Sequence, residues 1–159
     1  MKIAILHDSR AGNGARLAAV MKDAFEAAGA EVSVGHVAEI SAESVAEMQP
    51  NLLVLGAAIR KFRTSPASKR WLSQLDRALR MRNAAIARAA TFVTHGLPDG
   101  AARGWGLRFL RRIERARTVS AVYPVWLSAR VVAPGGPFED GTEDRFRGHA
   151  VELLEWTKG

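Results

Sequence analysis

Short runs of unbroken apolar residues alternate along this chain with longer segments whose apolar residues recur at helical spacing, and that alternation limits the fold more than any other feature. Ile3-Ala4-Ile5-Leu6 reads as a strand covered on both faces, because a strand with one wet face would alternate with polar residues. Residues 13–28 then place Leu17, Val20, Met21, Ala24 and Phe25 at helical spacing, and Gly29 stands where a helix-ending glycine belongs. Val32, Val34 and Val37 mark a second strand, and 42–48 a short helix. Leu52-Leu53-Val54-Leu55-Gly56, just after Pro50, is the strongest buried strand. Residues 57–65 read as a loop. Ser65-Pro66 starts a helix with proline at its first position, and that helix, over 66–82, is expected to bury Trp71, Leu72, Leu75 and Leu79. Ala90-Thr91-Phe92-Val93-Thr94 is a fourth strand, 96–100 a loop, and 101–117 a very basic helix with Leu107, Leu110 and Ile113 on one side. A fifth strand within 119–132 is interrupted at Pro124. The turn Pro134-Gly135-Gly136-Pro137 precedes a last helix over 140–158.

Five βα units in 159 residues predict a single α/β domain over 1–159, with a mostly parallel sheet and helices on both faces. Ligands of such sheets bind beyond the carboxyl ends of the strands, where strand order reverses. The loops to inspect are therefore 7–14, 56–65 and 94–103. The four tryptophans, Trp71, Trp105, Trp126 and Trp156, fall on apolar periodicity and read as core or helix-packing residues.

The chain has no cysteine, which excludes disulfides, thiolate metal sites and a cysteine nucleophile and fits a reducing cytoplasm. His7, His36, His95 and His149 lack metal-ligand spacing, so no metal is expected. There is no G-x-S-x-G elbow, and no apolar run reaches the roughly 20 residues of a membrane span. The first six residues are too short for a signal-peptide core.

The formal charge of +7 is uneven. Residues 60–117 carry 15 basic and 3 acidic groups, a surplus of +12 between flanks of −3 and −2. Two readings stay open: a surface for an anionic partner, or a solvated arginine-rich helix face. Interleaved exposed aromatics are missing, which disfavours single-stranded nucleic acid.

Asp8-Ser9-Arg10-Ala11-Gly12-Asn13-Gly14 joins the first strand to the first helix. Its backbone N–H groups and the helix dipole make an anion site, with Arg10 and Arg16 adding charge. A plain βα turn is the alternative. The loop is neither G-x-G-x-x-G nor a P-loop. It resembles the phosphate loop of the flavodoxin family, Ser/Thr-x-Thr-Gly-x-Thr, with Ser9, Gly12 and Asn13 in frame. Ala11 and Gly14 replace two hydroxyl residues, each loss being worth about 1.5–3 kcal/mol toward a charged phosphate.

Gly56-Ala57-Ala58-Ile59-Arg60 is similar to the Gly-Ala-Ser-Ile-Arg run of menaquinone-dependent protoporphyrinogen dehydrogenases in the same superfamily. The resemblance implies that Ala57, Ala58, Ile59 and Arg60 lie against a flavin ring. Phe62 is then either a stacking partner or an anchor on the core. It also implies that Thr94, His95, Gly96 and Gly100 flank the pyrimidine side, contacts that tune a flavin's potential.

The implied fold is a flavodoxin-like three-layer αβα sandwich with a five-stranded parallel sheet in the order 2-1-3-4-5. The implied cofactor is FMN, held by residues 9–14. The implied function is electron transfer with a partner protein of acidic face, since Arg10, Arg60, Lys61, Arg63 and Arg103 would rim the site. Two alternatives remain: a flavin-dependent dehydrogenase of the protoporphyrinogen or quinone type, and a binding module of the same fold that has lost FMN.

Overall fold

The computed structural model describes residues 1–98 and 100–159. Seven strands and five helices alternate: β1 (Lys2–His7), α1 (Asn13–Ala27), β2 (Glu31–His36), α2 (Ala42–Met48), β3 (Leu52–Arg60), β4 (Arg63–Thr64), α3 (Pro66–Met81), β5 (Ile86–His95), α4 (Arg103–Glu114), β6 (Val119–Val122), β7 (Leu127–Arg130) and α5 (Thr142–Lys158). The sheet runs β2-β1-β3-β5-β6, with β4 on β3 and β7 on β5. All pairings are parallel except β3–β4.

The expected order 2-1-3-4-5 is present, because β6 and β7 are two pieces of the fifth strand. Both pair with β5, and the register advances by two residues between Ala89↔Val122 and Phe92↔Leu127. Pro124 has no N–H for the ladder, so the edge strand loops out there. An excursion of two residues restores the same side-chain alternation beyond it.

The one additional strand among the described residues, β4, corrects the reading of 57–65 as a loop. β3 runs on to Arg60, turns at Lys61 and Phe62 and returns through Arg63 and Thr64. Lys61 and Phe62 both have positive φ, 48° and 55°, the geometry of a type I′ hairpin that asparagine and glycine favour. A bulky aromatic held there costs about 1–3 kcal/mol.

Strand residues alternate between two cores. Ile3, Ile5, Leu52, Val54 and Phe92 face α1 and α5, where Phe92 meets Phe146 edge to face at 5.5 Å. Ala4, Leu6, Leu53, Leu55 and Val93 face α2, α3 and α4. Gly56 lies opposite Phe92, and a Cβ there would come within 2.2 Å of the ring. Helix starts follow local chemistry: Ser65 caps α3 ahead of Pro66, and Ser41 caps α2 through the Ser44 N–H at 3.1 Å. Trp71 is buried, and Trp105, Trp126 and Trp156 pack half-buried against the cores. No helix among the described residues is long and apolar enough to cross a membrane.

Candidate functional site

The parallel sheet brings the ends of β1, β3 and β5 side by side, so the three loops singled out above share one edge. A cleft of about 420 Å³ opens there, within the range of small-molecule sites. Ser9, Arg10, Ala11 and Asn13 form one wall, Ala58, Ile59 and Arg60 a second, and Thr94, His95 and Gly96 a third. A fourth wall, Val131, Val132, Ala133 and Pro134, comes from the segment after β7. Sequence reading missed it, since Pro134 onward signals only a turn. Asn13 Nδ2 donates to the Pro134 carbonyl at 3.1 Å and ties that wall to α1.

The phosphate-loop reading has a physical counterpart. Gly12, with φ of 86°, precedes α1 in the left-handed region that glycine tolerates. Among the described residues, the N–H groups of Ala11, Gly12 and Asn13 have no protein acceptor. Ser9 Oγ accepts the Gly14 N–H at 3.1 Å, leaving its own proton to donate outward. Gly14 therefore sits behind the loop rather than in the cleft wall. His7 Nδ1 accepts the Ser9 N–H at 3.3 Å. Burial, helped by neighbouring His36, pushes the His7 pKa down and keeps that ring an acceptor.

Asp8 connects the walls. It is 3% exposed; its Oδ1 accepts the Ala58 N–H at 2.9 Å and its Oδ2 the Ser68 hydroxyl at 2.9 Å. Arg60 donates to the Asp8 carbonyl at 2.7 Å. One buried carboxylate thus joins β1, β3 and α3 just behind the cleft. Asp8 enters the sequence reading only as the first residue of the loop after β1, and nothing local to Ser68 signals that it is a partner.

His95 is held on both ring nitrogens: Nδ1 accepts the Leu97 N–H at 3.2 Å and Nε2 lies 2.7 Å from Ser128 Oγ. Its imidazole lines the cleft as a fixed wall. Ala57 is 2% exposed and points into the core. Gly100 lines a neighbouring cavity of about 350 Å³ with Arg103, Arg130 and Arg145. Phe62 lines no part of the cleft and does not anchor on the core; it is 71% exposed at the hairpin tip. Around that tip Arg10, Arg60, Lys61 and Arg63 surround a concavity of about 170 Å³. No cluster of metal ligands occurs among the described residues.

No family model matches the chain, and no curated protein matches its sequence. Solved structures do. An oxidised flavodoxin from Bacillus cereus superimposes with a TM-score of 0.73 and 15% identity, covering 98% of each chain. A flavodoxin from the Archaea gives a TM-score of 0.73 at 13% identity over 100% of both chains. Rubredoxin oxygen:oxidoreductase from Desulfovibrio gigas matches with a TM-score of 0.68 and 16% identity, over 99% of this chain and 36% of that one. At these identities the likeness is one of fold, and the fold is flavodoxin-like.

Proposed function

We propose that this chain is an FMN-binding, flavodoxin-like electron-transfer protein. The carrying observation is the composition of the cleft, which joins N–H groups without acceptors and Arg10 to the apolar Ala58, Ile59, Val131 and Val132. A phosphate needs the first and a flat heteroaromatic ring the second. FMN supplies one- and two-electron transfer when bound. The protein's share is to bind, orient and exclude water. The N–H groups of Ala11 to Asn13 and the Ser9 hydroxyl take the phosphate, replacing the hydroxyls missing at 11 and 14. Ala58 and Ile59 lie along the ring, and Thr94 to Gly96 edge its pyrimidine side. The cations at Arg10, Arg60, Lys61 and Arg63 favour a redox partner with an acidic face and speed its encounter.

Titration with FMN, followed by quenching of flavin fluorescence with riboflavin as control, tests this. Sub-micromolar binding that requires the phosphate is expected. Binding no tighter than about millimolar, near −4 kcal/mol, overturns it and leaves a flavodoxin-like module without FMN.

A second reading, a flavin-dependent dehydrogenase acting on an anionic substrate, draws on the adjoining cavity. His95 belongs to both cavities, and Arg103, Arg130 and Arg145 line the second together with Glu139, which pairs with Arg130 at 2.9 Å. Reduction of bound FMN by a carboxylate-bearing substrate, but not by its ester, would select this reading.

A further inference from the structure

A second sizeable concavity lies away from the cleft. It is a groove of about 530 Å³ between α3 and α4. Its lining residues follow helical spacing on both walls: Lys69, Leu72, Ser73, Asp76 and Arg80 on α3, and Trp105, Arg108, Phe109 and Arg112 on α4, continuing to Arg115. Lys69 to Arg80 spans about 16 Å of helix, three turns. Leu72 and Phe109 form an apolar floor with the half-buried Trp105 and Ala116. The rims are cationic and mostly unpaired. Among the described residues the only ion pair on α3 or α4 is Arg80 with Asp76, at 3.3 Å. Arg108 stacks over Trp105 at 4.8 Å, and Arg112 reaches across to the neutral Ser73 hydroxyl at 3.3 Å.

We infer that this groove is a docking site for an acidic amphipathic helix of a partner protein. A helix of three turns matches its length. Apolar residues at i, i+3/i+4 and i+7 fit its floor, and glutamates or aspartates on both flanks meet its two rows of cations. A carboxylate displaces the Arg112–Ser73 bond readily, since charged pairs are stronger than bonds to a neutral hydroxyl. Other polyanions fit less well. A membrane is flat and cannot reach the floor of a groove, and phosphates of a nucleic acid gain nothing from Leu72 and Phe109. Arg63 belongs both to this groove and to the basic concavity beside the cleft. A helix seated here therefore stands at the cleft's rim, although the inference does not depend on FMN being bound.

The test uses the full chain and a fluorescent synthetic helix of alternating leucine and glutamate faces, followed by anisotropy. A permuted peptide of the same composition serves as control. Two double variants change the net charge equally: Arg108→Glu/Arg112→Glu in the groove, and Arg70→Glu/Arg77→Glu on exposed α3 positions outside it. The expected result is binding of the patterned peptide alone, weakened about tenfold or more by the groove variant and about threefold or less by the other. Hydrogen exchange should slow at residues 69–80 and 105–116. Absence of binding, equal binding of the permuted peptide, or equal loss in both variants overturns the inference. Tighter binding to a short DNA duplex or to phosphatidylserine vesicles overturns the choice of a helix.

Discussion

The two helical layers of this protein cover the same sheet in different ways. On one face α1 and α5 pack against each other, and their charges are largely paired: Arg16 with Glu143 between the helices, and Lys22–Glu26, Arg147–Asp144 and Lys158–Glu155 within them. On the other face α2 packs on α3, where Trp71 Nε1 donates to the Ile40 carbonyl at 2.8 Å, but a groove separates α3 from α4. Those two helices carry 8 basic and 2 acidic residues, so most of their cations have no acid to meet. The closed layer spends its side chains on stability. The open layer keeps like charges exposed, which disfavours the compact state and favours an anionic partner.

The sharpest test of that contrast is Phe146→Ala. Phe146 is fully buried against Phe92 in the closed layer, and its loss should cost about 3–5 kcal/mol in urea unfolding. Asp8→Ala comes next. It leaves the buried Ala58 N–H without its acceptor, at about 1–3 kcal/mol, while the Ser68 hydroxyl keeps the Gly56 carbonyl at 2.9 Å, and it should also weaken FMN by loosening two cleft walls. A fully stable Asp8→Ala protein would break the claim that α3 is tied to the sheet through this carboxylate.

The surface charges should separate the layers by sign. Arg16→Ala removes a partly exposed ion pair and should cost about 0–1 kcal/mol, whereas Arg115→Ala should be neutral or slightly stabilising. Added salt should raise the urea midpoint of the wild type, because screening relieves the cations of α3 and α4. A midpoint that falls with salt would contradict the unpaired state of that layer.

The smallest effect concerns pH. His149, on α5, is 5% exposed, and burial lowers its pKa despite the bond to Glu152. The unfolded chain then takes up a proton near the ordinary histidine value of 6.5 while the folded one resists. Stability is therefore complete above that value and declines as pH falls from it toward the folded pKa. His149→Gln should flatten this acid-side slope, with His7, lowered in the same direction, supplying the remainder.

Much of this arrangement was legible in the residues. Ile3 to Leu6 and Leu52 to Leu55 announce strands buried on both faces, and Ser65-Pro66 starts α3 where expected. The β3–β4 hairpin was hidden because Lys61-Phe62 carries no asparagine or glycine signal; the surrounding ladder imposes a backbone that local propensity opposes. The helix expected over 101–117 is shorter, Arg103–Glu114, since no capping side chain fixes its start. Ser68 and residues 131–134 join the site across long stretches of chain, and no local pattern encodes such contacts.

By itself the sequence determined the alternation of strands and helices, and with it which loops must meet at the carboxyl edge of a parallel sheet, because hydrophobic period is a local property of the chain. Tertiary structure alone decided which charges find partners, that α3 and α4 stand apart, and that a fourth wall closes the cleft. Those outcomes depend on distances between residues far apart in the chain, which packing sets and local pattern does not record.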